Sequence, residues 1–504
     1  NINLFGGLLG LSIDFARELG AGAGQVQLTG DAGLQAGFSS FSTPSTVRIE
    51  DGSGGITNLI WGASDTFNPG ILTLQQDDAA SQLTLANGLD FNAAVSNVTR
   101  TINVHADVAL IQGTLTNSGA FVTDFVKGGA GTLWLTNGFH WDGSTRVAGG
   151  ILRVPDVANL PSGNLSLSPA NAAGVLESTG LFTRALGSNA NEVTIVGGGN
   201  AGQNSRPGFS AFGGDLTVDI GGDGSGTGPQ LIWNSADFDP TGPSTNNGAL
   251  LLNTGNATGT LRFMNDMDLN GEGIFLSGPE YRRIEVNGGL AILGGDITNS
   301  QAGLYAIGLL KRGAGILSLE GDNAYDGLTQ VAAGTLLVNG TQRVGGAFSV
   351  IDSATLGGTG LISAPVWVTN GATVAPGSLG IGNLTVQGDV DIEGILSIEI
   401  DAAAAGFVDL LTVTGILDIS AATLNFVTNG ITLDDTAYIF ASYGTLVTND
   451  PTAGFGAVNF LPDGYQLDYN YLGGNQIALV IPEPTTWALL LLGGLALLAA
   501  WRRR

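Results

Sequence analysis

The sequence predicts an all-β protein, and three observations carry that prediction. The 504-residue chain holds 81 glycines and 16 prolines, and each interior glycine costs a helix about 1 kcal/mol relative to alanine. Short runs of Val, Ile, Leu and Thr alternate with polar residues from one end to the other. Thr132 to Leu135, Ile316 to Leu319, Thr335 to Val338, Leu384 to Val386 and Leu424 to Phe426 are examples, each bounded by Gly, Asn or Asp. That is the period of a strand with turn chemistry between strands. Before the C-terminus almost no stretch of ten residues keeps a helical apolar period.

Composition narrows the class further. Charged residues make up 12% and hydrophobic residues 43%, so the chain is too apolar for disorder and too poor in charge for an ordinary α/β enzyme. Without cysteine there is no disulfide framework, thiol nucleophile or cysteine-ligated zinc, and two histidines leave little imidazole chemistry. A net charge of −26 against 17 Lys and Arg argues against nucleic acid as a partner, because phosphate binding requires cations.

Self-similarity decides between a sandwich and a stack of coils. Lys127-Gly128-Gly129-Ala130-Gly131-Thr132-Leu133-Trp134-Leu135 returns 184 residues later as Lys311-Arg312-Gly313-Ala314-Gly315-Ile316-Leu317-Ser318-Leu319. Trp141 to Leu152 aligns with Tyr325 to Leu336 at the same spacing. Upstream, Gly37 to Phe41 matches Gly208 to Phe212, Leu59-Ile60-Trp61 matches Leu231-Ile232-Trp233, and Phe15 to Gly20 matches Phe182 to Gly187. The spacing drifts from 167 to 184 residues, as loop insertions in a coiled β-architecture allow. After Gly340 strands recur at Thr373, Thr385, Ser397, Thr412 and Thr423. At roughly 20 to 25 residues per coil the chain would form about 20 coils in a rod about 100 Å long. Asn1 falls inside the first copy, so the register leads one to expect further sequence upstream, including an export signal.

The units at 127 to 154 and 311 to 338 resemble the autotransporter-associated β-strand repeat, K-x-G-x-G-x-L-x-L-x-G-x-N-x-Y-x-G-x-T-x-V-x-x-G-x-L-x-V. The second copy keeps Asn323, Tyr325, Gly327, Thr329 and Val331, whereas the first places Phe139 and Trp141 at the Asn and Tyr positions, which would weaken a ladder of stacked Asn there. Leu356 to Gly360, Gly371 to Gly377 and Asp409 to Val413 also look like an autotransporter passenger region. The resemblance implies a right-handed parallel β-helix, a solenoid, exposed at the cell surface, and it implies no catalysis, since the repeat is a scaffold. The length after residue 430 leads one to expect no outer-membrane barrel within this sequence.

The tail reads differently. Ile481-Pro482-Glu483-Pro484 precedes an uncharged apolar run from Trp487 to Trp501, closed by Arg502, Arg503 and Arg504. As a helix those 15 residues extend about 22 Å, at the short limit for a membrane span. The two Trp suit the headgroup boundaries and the Arg cluster suits a cytoplasmic stop. Pro-Glu-Pro, a short apolar helix and terminal arginines closely resemble the PEP-CTERM sorting signal. That resemblance implies an exosortase as the membrane-embedded processing partner, recognition of Pro482, Glu483 and Pro484, and a transient inner-membrane anchor removed during export.

Candidate chemistry is sparse. Asp266-Met267-Asp268-Leu269-Asn270-Gly271 fits the first half of an EF-hand loop, but the twelfth position is Ser277 where a bidentate Glu is required. Gly221-Gly222-Asp223-Gly224 has the look of a glycine-rich calcium repeat but occurs once. Both read better as polar turns. His105 and His140 are isolated, and Trp61, Trp134, Trp141, Trp233 and Trp367 suit a stacked core better than a sugar-binding face. No catalytic, metal or cofactor residue is expected. The organisation expected is a first solenoid unit over 1–160, a second over 161–340, a passenger-like β module over 341–480 and the sorting signal over 481–504. The function expected is a non-enzymatic, adhesin-like protein of the cell surface or extracellular matrix. The alternative is a surface protein that binds or cleaves glycans, with extracellular polysaccharide as its partner.

Overall fold

The computed structural model describes residues 1–198, 204–241, 247–270, 280–301, 306–343, 345–401, 407–428, 433, 437–449 and 454–482. It divides into two compact units, Asn1–Leu328 and Thr329–Arg504. Among the described residues there is no α-helix, only the 3-10 turns Val157–Asn159 and Tyr471–Gly473. The five strands named from sequence pattern alone all lie within β-strands.

In the first unit the chain circles through three long stacks and a short one formed by Ile2–Phe5, Val26–Thr29 and Phe67–Asn68, with strands pairing in parallel from one circuit to the next. One sheet stacks Leu8–Leu11, Gln35–Ser40, Ile71–Leu74, Val98–Asn103, Thr123–Gly128 and Thr145–Val147. The next stacks Phe15–Glu18, Ser45–Glu50, Leu83–Leu85, Val108–Ile111, Thr132–Leu135 and Gly150–Arg153. A third stacks Leu59–Ile60, Leu89–Asp90, Leu115–Thr116 and Phe139–His140. Because side chains alternate across a strand, every circuit sends the same register position inward. Val47, Leu85, Ile111 and Leu135 form one such buried column.

The second copy repeats these pairings in detail. Leu165↔Val193, Val175↔Gly208 and Phe182↔Val218 reproduce Ile2↔Val26, Leu8↔Gly37 and Phe15↔Val47. The copies are nevertheless out of phase. Gly150–Arg153 closes the second sheet of the first copy, yet it pairs with the first half of Ala173–Phe182, which is the counterpart of Leu8–Leu11 in the first sheet. The second copy is therefore advanced by one sheet around the stack. Two long strands, Ala173–Phe182 of 10 residues and Arg206–Val218 of 13, carry the chain around this corner without interruption. Their register shifts between Ser178 and Gly180, where Gly180 at φ 96° adopts a conformation closed to most side chains.

The second unit keeps the same three-sheet rotation. Phe348–Val350, Val366–Val368, Val390–Ile392, Ile416–Asp418 and Thr445–Val447 stack on one side. Thr335–Val338, Thr355–Gly358, Thr373–Pro376, Ile395–Asp401, Thr423–Val427 and Ala457–Asn459 stack on the next. On the third side the parallel stack ends at Tyr438–Ser442, which is covered by the antiparallel strand Gln476–Val480, itself paired with Gln466–Asp468. This closing hairpin occupies a sheet edge that would otherwise present unmet backbone groups.

Candidate functional site

The chain contains two lysines, Lys127 and Lys311, at equivalent places of the two copies, and both are buried. Each lies in the inward phase of an alternating strand, among core neighbours such as Phe125 and Leu309. Lys127 Nζ donates to the carbonyls of Gly128, Gly129 and Gly149 at 2.9, 2.8 and 2.8 Å. Lys311 Nζ donates to Arg312 and Gly313 at 3.2 and 2.7 Å. The glycine-rich turn bends its carbonyls inward, and the amine satisfies groups that would otherwise be buried without a donor. Burial pushes the Lys127 amine well below its ordinary range. It pushes Lys311 down to about 8, opposed by the charge of Glu285. These lysines are structural ties, closed to solvent.

A second duplicated cluster surrounds Trp61 and Trp233, which are fully buried. Asn92 Nδ2 donates to the Trp61 carbonyl and Asn270 Nδ2 to that of Trp233. Arg100 reaches inward to the Phe91 carbonyl and lies 5.0 Å from the Trp61 ring. Arg282 does the same at Leu269 and Asn270, 5.7 Å from Trp233, and burial lowers its pKa to about 10. Asn87 and Asn265, also equivalent, each bridge both backbone groups of an isoleucine, Ile49 and Ile220. Sequence matching found the tryptophans but not these partners. The available signal was a cation or amide in the inward phase of a strand.

The carboxylates weighed for calcium are already occupied by the backbone. Asp266 accepts from the Asp296 amide at 2.7 Å, and Asp268 from Asn270 and Ser300 at 2.9 Å each. Asp219 and Asp223 both organise the loop between them and Gly228: Asp219 accepts from the amides of Asp223, Gly224, Gly226 and Gly228, and Asp223 from the Ser225 amide and the hydroxyls of Ser225 and Thr227. Ser277 lies outside the described residues. Among the described residues no cluster of three potential ligands occurs.

The aromatic side chains divide as follows. Trp141 packs on Phe125, Phe91 and Phe139, so at the Asn-Tyr corner of the first copy Leu59, Leu89, Leu115 and Phe139 form an aliphatic and aromatic column. Asn323 of the second copy, at the place of Phe139, is buried and accepts from the Ile297 amide at 3.0 Å. Trp134 packs against Phe212 and Arg153, and Trp367 is exposed. His105 pairs with Asp77 at 3.5 Å, while His140 is exposed at a strand end. In the second unit Asp409 lines a cleft of about 280 Å³ with Glu399 and Ser397. Burial raises its carboxyl to about 6, although the Glu399 and Gly382 amides both donate to it.

Comparison with known proteins assigns the lysine-centred segments. Residues 125–154 and 309–338 match the passenger-associated-transport-repeat family model. Each passenger repeat thus starts with the strand carrying its buried lysine and ends after the strand that follows the Gly149-Gly150 or Ala333-Gly334 corner. Residues 480–504 match the PEP-CTERM protein-sorting motif. Over 72 residues the chain is 43% identical to the adhesin BmaC autotransporter of Brucella suis biovar 1 (strain 1330), a match covering 14% of this chain and 2% of that protein. Among solved structures, the Haemophilus influenzae Hap adhesin aligns with 95% of this chain and 63% of its own, at 11% identity and a TM-score of 0.19.

Of the sorting residues, Pro482 follows the closing strand Gln476–Val480 by two positions. Glu483, Pro484, Trp487, Trp501, Arg502, Arg503 and Arg504 lie outside the described residues. Among the described residues no helix is long and apolar enough to cross a membrane.

Proposed function

We propose that the chain is an exported, non-enzymatic, adhesin-like protein of the cell surface or extracellular matrix, built as a right-handed parallel β-helix. The observation that carries this reading is the joint presence of two passenger repeats and a PEP-CTERM motif in one chain. The parallel three-sheet stack supports it, because such a scaffold offers long regular faces and needs no active site. Right-handed winding is favoured because it is the hand that twisted parallel strands adopt in their crossovers. The segment from Trp487 to Trp501 crosses the inner membrane transiently, with Arg502, Arg503 and Arg504 held on the cytoplasmic side. An exosortase reads Pro482, Glu483 and Pro484, whose prolines hold the chain extended in front of the enzyme, and the anchor is removed.

Glu483→Ala tests the delivery half of the proposal. In cells that contain an exosortase, the variant is expected to keep its tail and remain with the inner membrane. Intact mass and fractionation report the outcome, and processing like that of the unaltered chain would remove the exosortase from the scheme.

A further inference from the structure

The leading edges of the two copies match position by position, and in the second copy the groups at those positions hold the copy before it. Arg153, on the closing strand of the first copy, pairs with buried Glu177 at 2.6 Å and lies 3.6 Å from the Phe212 ring. Glu177 is completed by the hydroxyls of Ser210 and Thr254 at 2.9 and 2.8 Å. Beside it, Arg184 clasps the linker between the copies, with its guanidinium donating to the carbonyls of Leu160, Pro161 and Gly163.

The register shared by the copies places Gly10, Ser39, Phe41 and Gln76 where the second has Glu177, Ser210, Phe212 and Thr254, and Arg17 where it has Arg184. The local geometry agrees. The Gln76 amide donates to Ser39 Oγ at 3.1 Å, as the Thr254 amide donates to Ser210 Oγ at 3.1 Å. Here the site is an open cleft of about 510 Å³ lined by Gly10, Ser39, Phe41, Gln76, Asp77 and Asp78. Leu8–Leu11 pairs with Gln35–Ser40, whereas its counterpart Ala173–Phe182 pairs on both sides. Arg17 lies 5.8 Å from the Phe15 ring and, among the described residues, makes no hydrogen bond through its guanidinium.

We propose that this cleft is the receptor for the arginine of another repeat copy, whose closing strand docks in parallel on Leu8–Leu11 while Arg17 clasps the linker behind it. The aromatic face of Phe41 takes the guanidinium as Phe212 takes Arg153. Asp77 and Asp78 supply the anion that Glu177 supplies in the second copy. That exchange is forced by packing, since the Phe41 ring lies over Gly10 and a Cβ there would meet it at 2.5 Å. The partner is thus a β-repeat ending in a strand of the Gly150–Arg153 kind, with arginine opposite Gly10.

A tandem protein tests this, with residues 71–163 added ahead of the full chain so that Gly163 joins Asn1 as it joins Asn164 in the chain itself. Amide hydrogen exchange at Leu8–Leu11 is expected to slow at least about tenfold relative to the unextended chain. Arg153→Leu in the added copy, which puts there the residue found at the equivalent Leu337, is expected to return part of that protection without unfolding the strand. Asp77→Asn with Asp78→Asn should do the same, and the combination should lose no more than either alone, as for groups in one contact. Arg17→Gln should lower the melting temperature of the tandem protein and leave that of the unextended chain unchanged. Exchange at Leu8–Leu11 as fast as in the unextended chain would overturn the proposal, as would protection indifferent to the arginine and the two aspartates.

Discussion

At the scale of single residues, polar groups turned inward define this molecule. Lys127 is the clearest case, an amine closed in the core whose three carbonyl partners all come from glycines. Lys127→Met keeps the length and removes the donor, so the carbonyls lose their partner. The expected cost is about 2 kcal/mol, read from urea unfolding, and a variant as stable as the parent would show that the tie is dispensable. Asp409 titrates with the opposite sign to an ordinary paired carboxylate. Its pKa rises on folding to about 6, so the folded state binds the proton more tightly than the unfolded chain. Its contribution is full below about pH 4 and is lost as the pH rises through 6, by up to about 3 kcal/mol. Asp409→Asn should flatten the stability profile between pH 4 and 7 in denaturant titrations, and an unchanged slope would reject this account. Neither role was legible in the sequence. A lysine beginning a repeat reads as a surface cation until the strand phase is known, and Asp409 is one of 43 acidic residues until the cleft forms around it.

At the scale of elements, alternation and turn residues were sufficient to find strands. Thr132–Leu135 and Thr335–Val338 coincide with the runs read from the sequence. The elements that escaped it are those that break the rule. Ala173–Phe182 and Arg206–Val218 are long because they turn a corner while still paired, and a corner inside a strand leaves no turn signature. The antiparallel closure by Gln476–Val480 was equally hidden, since strand direction is not written in an alternating pattern. That closure has a measurable role. Ala478→Pro, at a buried position with a neighbour on each side, Ile439 and Asp468, should disrupt the hairpin and uncover the edge Tyr438–Ser442. The expected outcome is concentration-dependent association by sedimentation velocity, where the parent stays monodisperse. A monodisperse variant would show that the edge is protected by other means.

At the scale of the molecule, the competing readings are a scaffold and a glycan-active surface. The scaffold reading predicts that the purified protein releases neither reducing ends nor unsaturated products from a panel of acidic polysaccharides. Turnover abolished by one carboxylate substitution, with Asp409→Asn the first to try, would replace it. The sequence by itself determined the all-β class, the duplicated units and the sorting signature, because alternation, glycine-rich turns and a Pro-Glu-Pro tail are local in the chain. Only the tertiary structure decided that the second copy is advanced by one sheet, so that Arg153 meets Glu177 and equivalent strands stack on unlike ones. That relation is set between Arg153 and Ala173, since Leu165–Leu167 already pairs with Thr145–Val147 and Gly174–Glu177 with Gly150–Arg153. Phase around a coil is a sum over many turns, and no single residue records it.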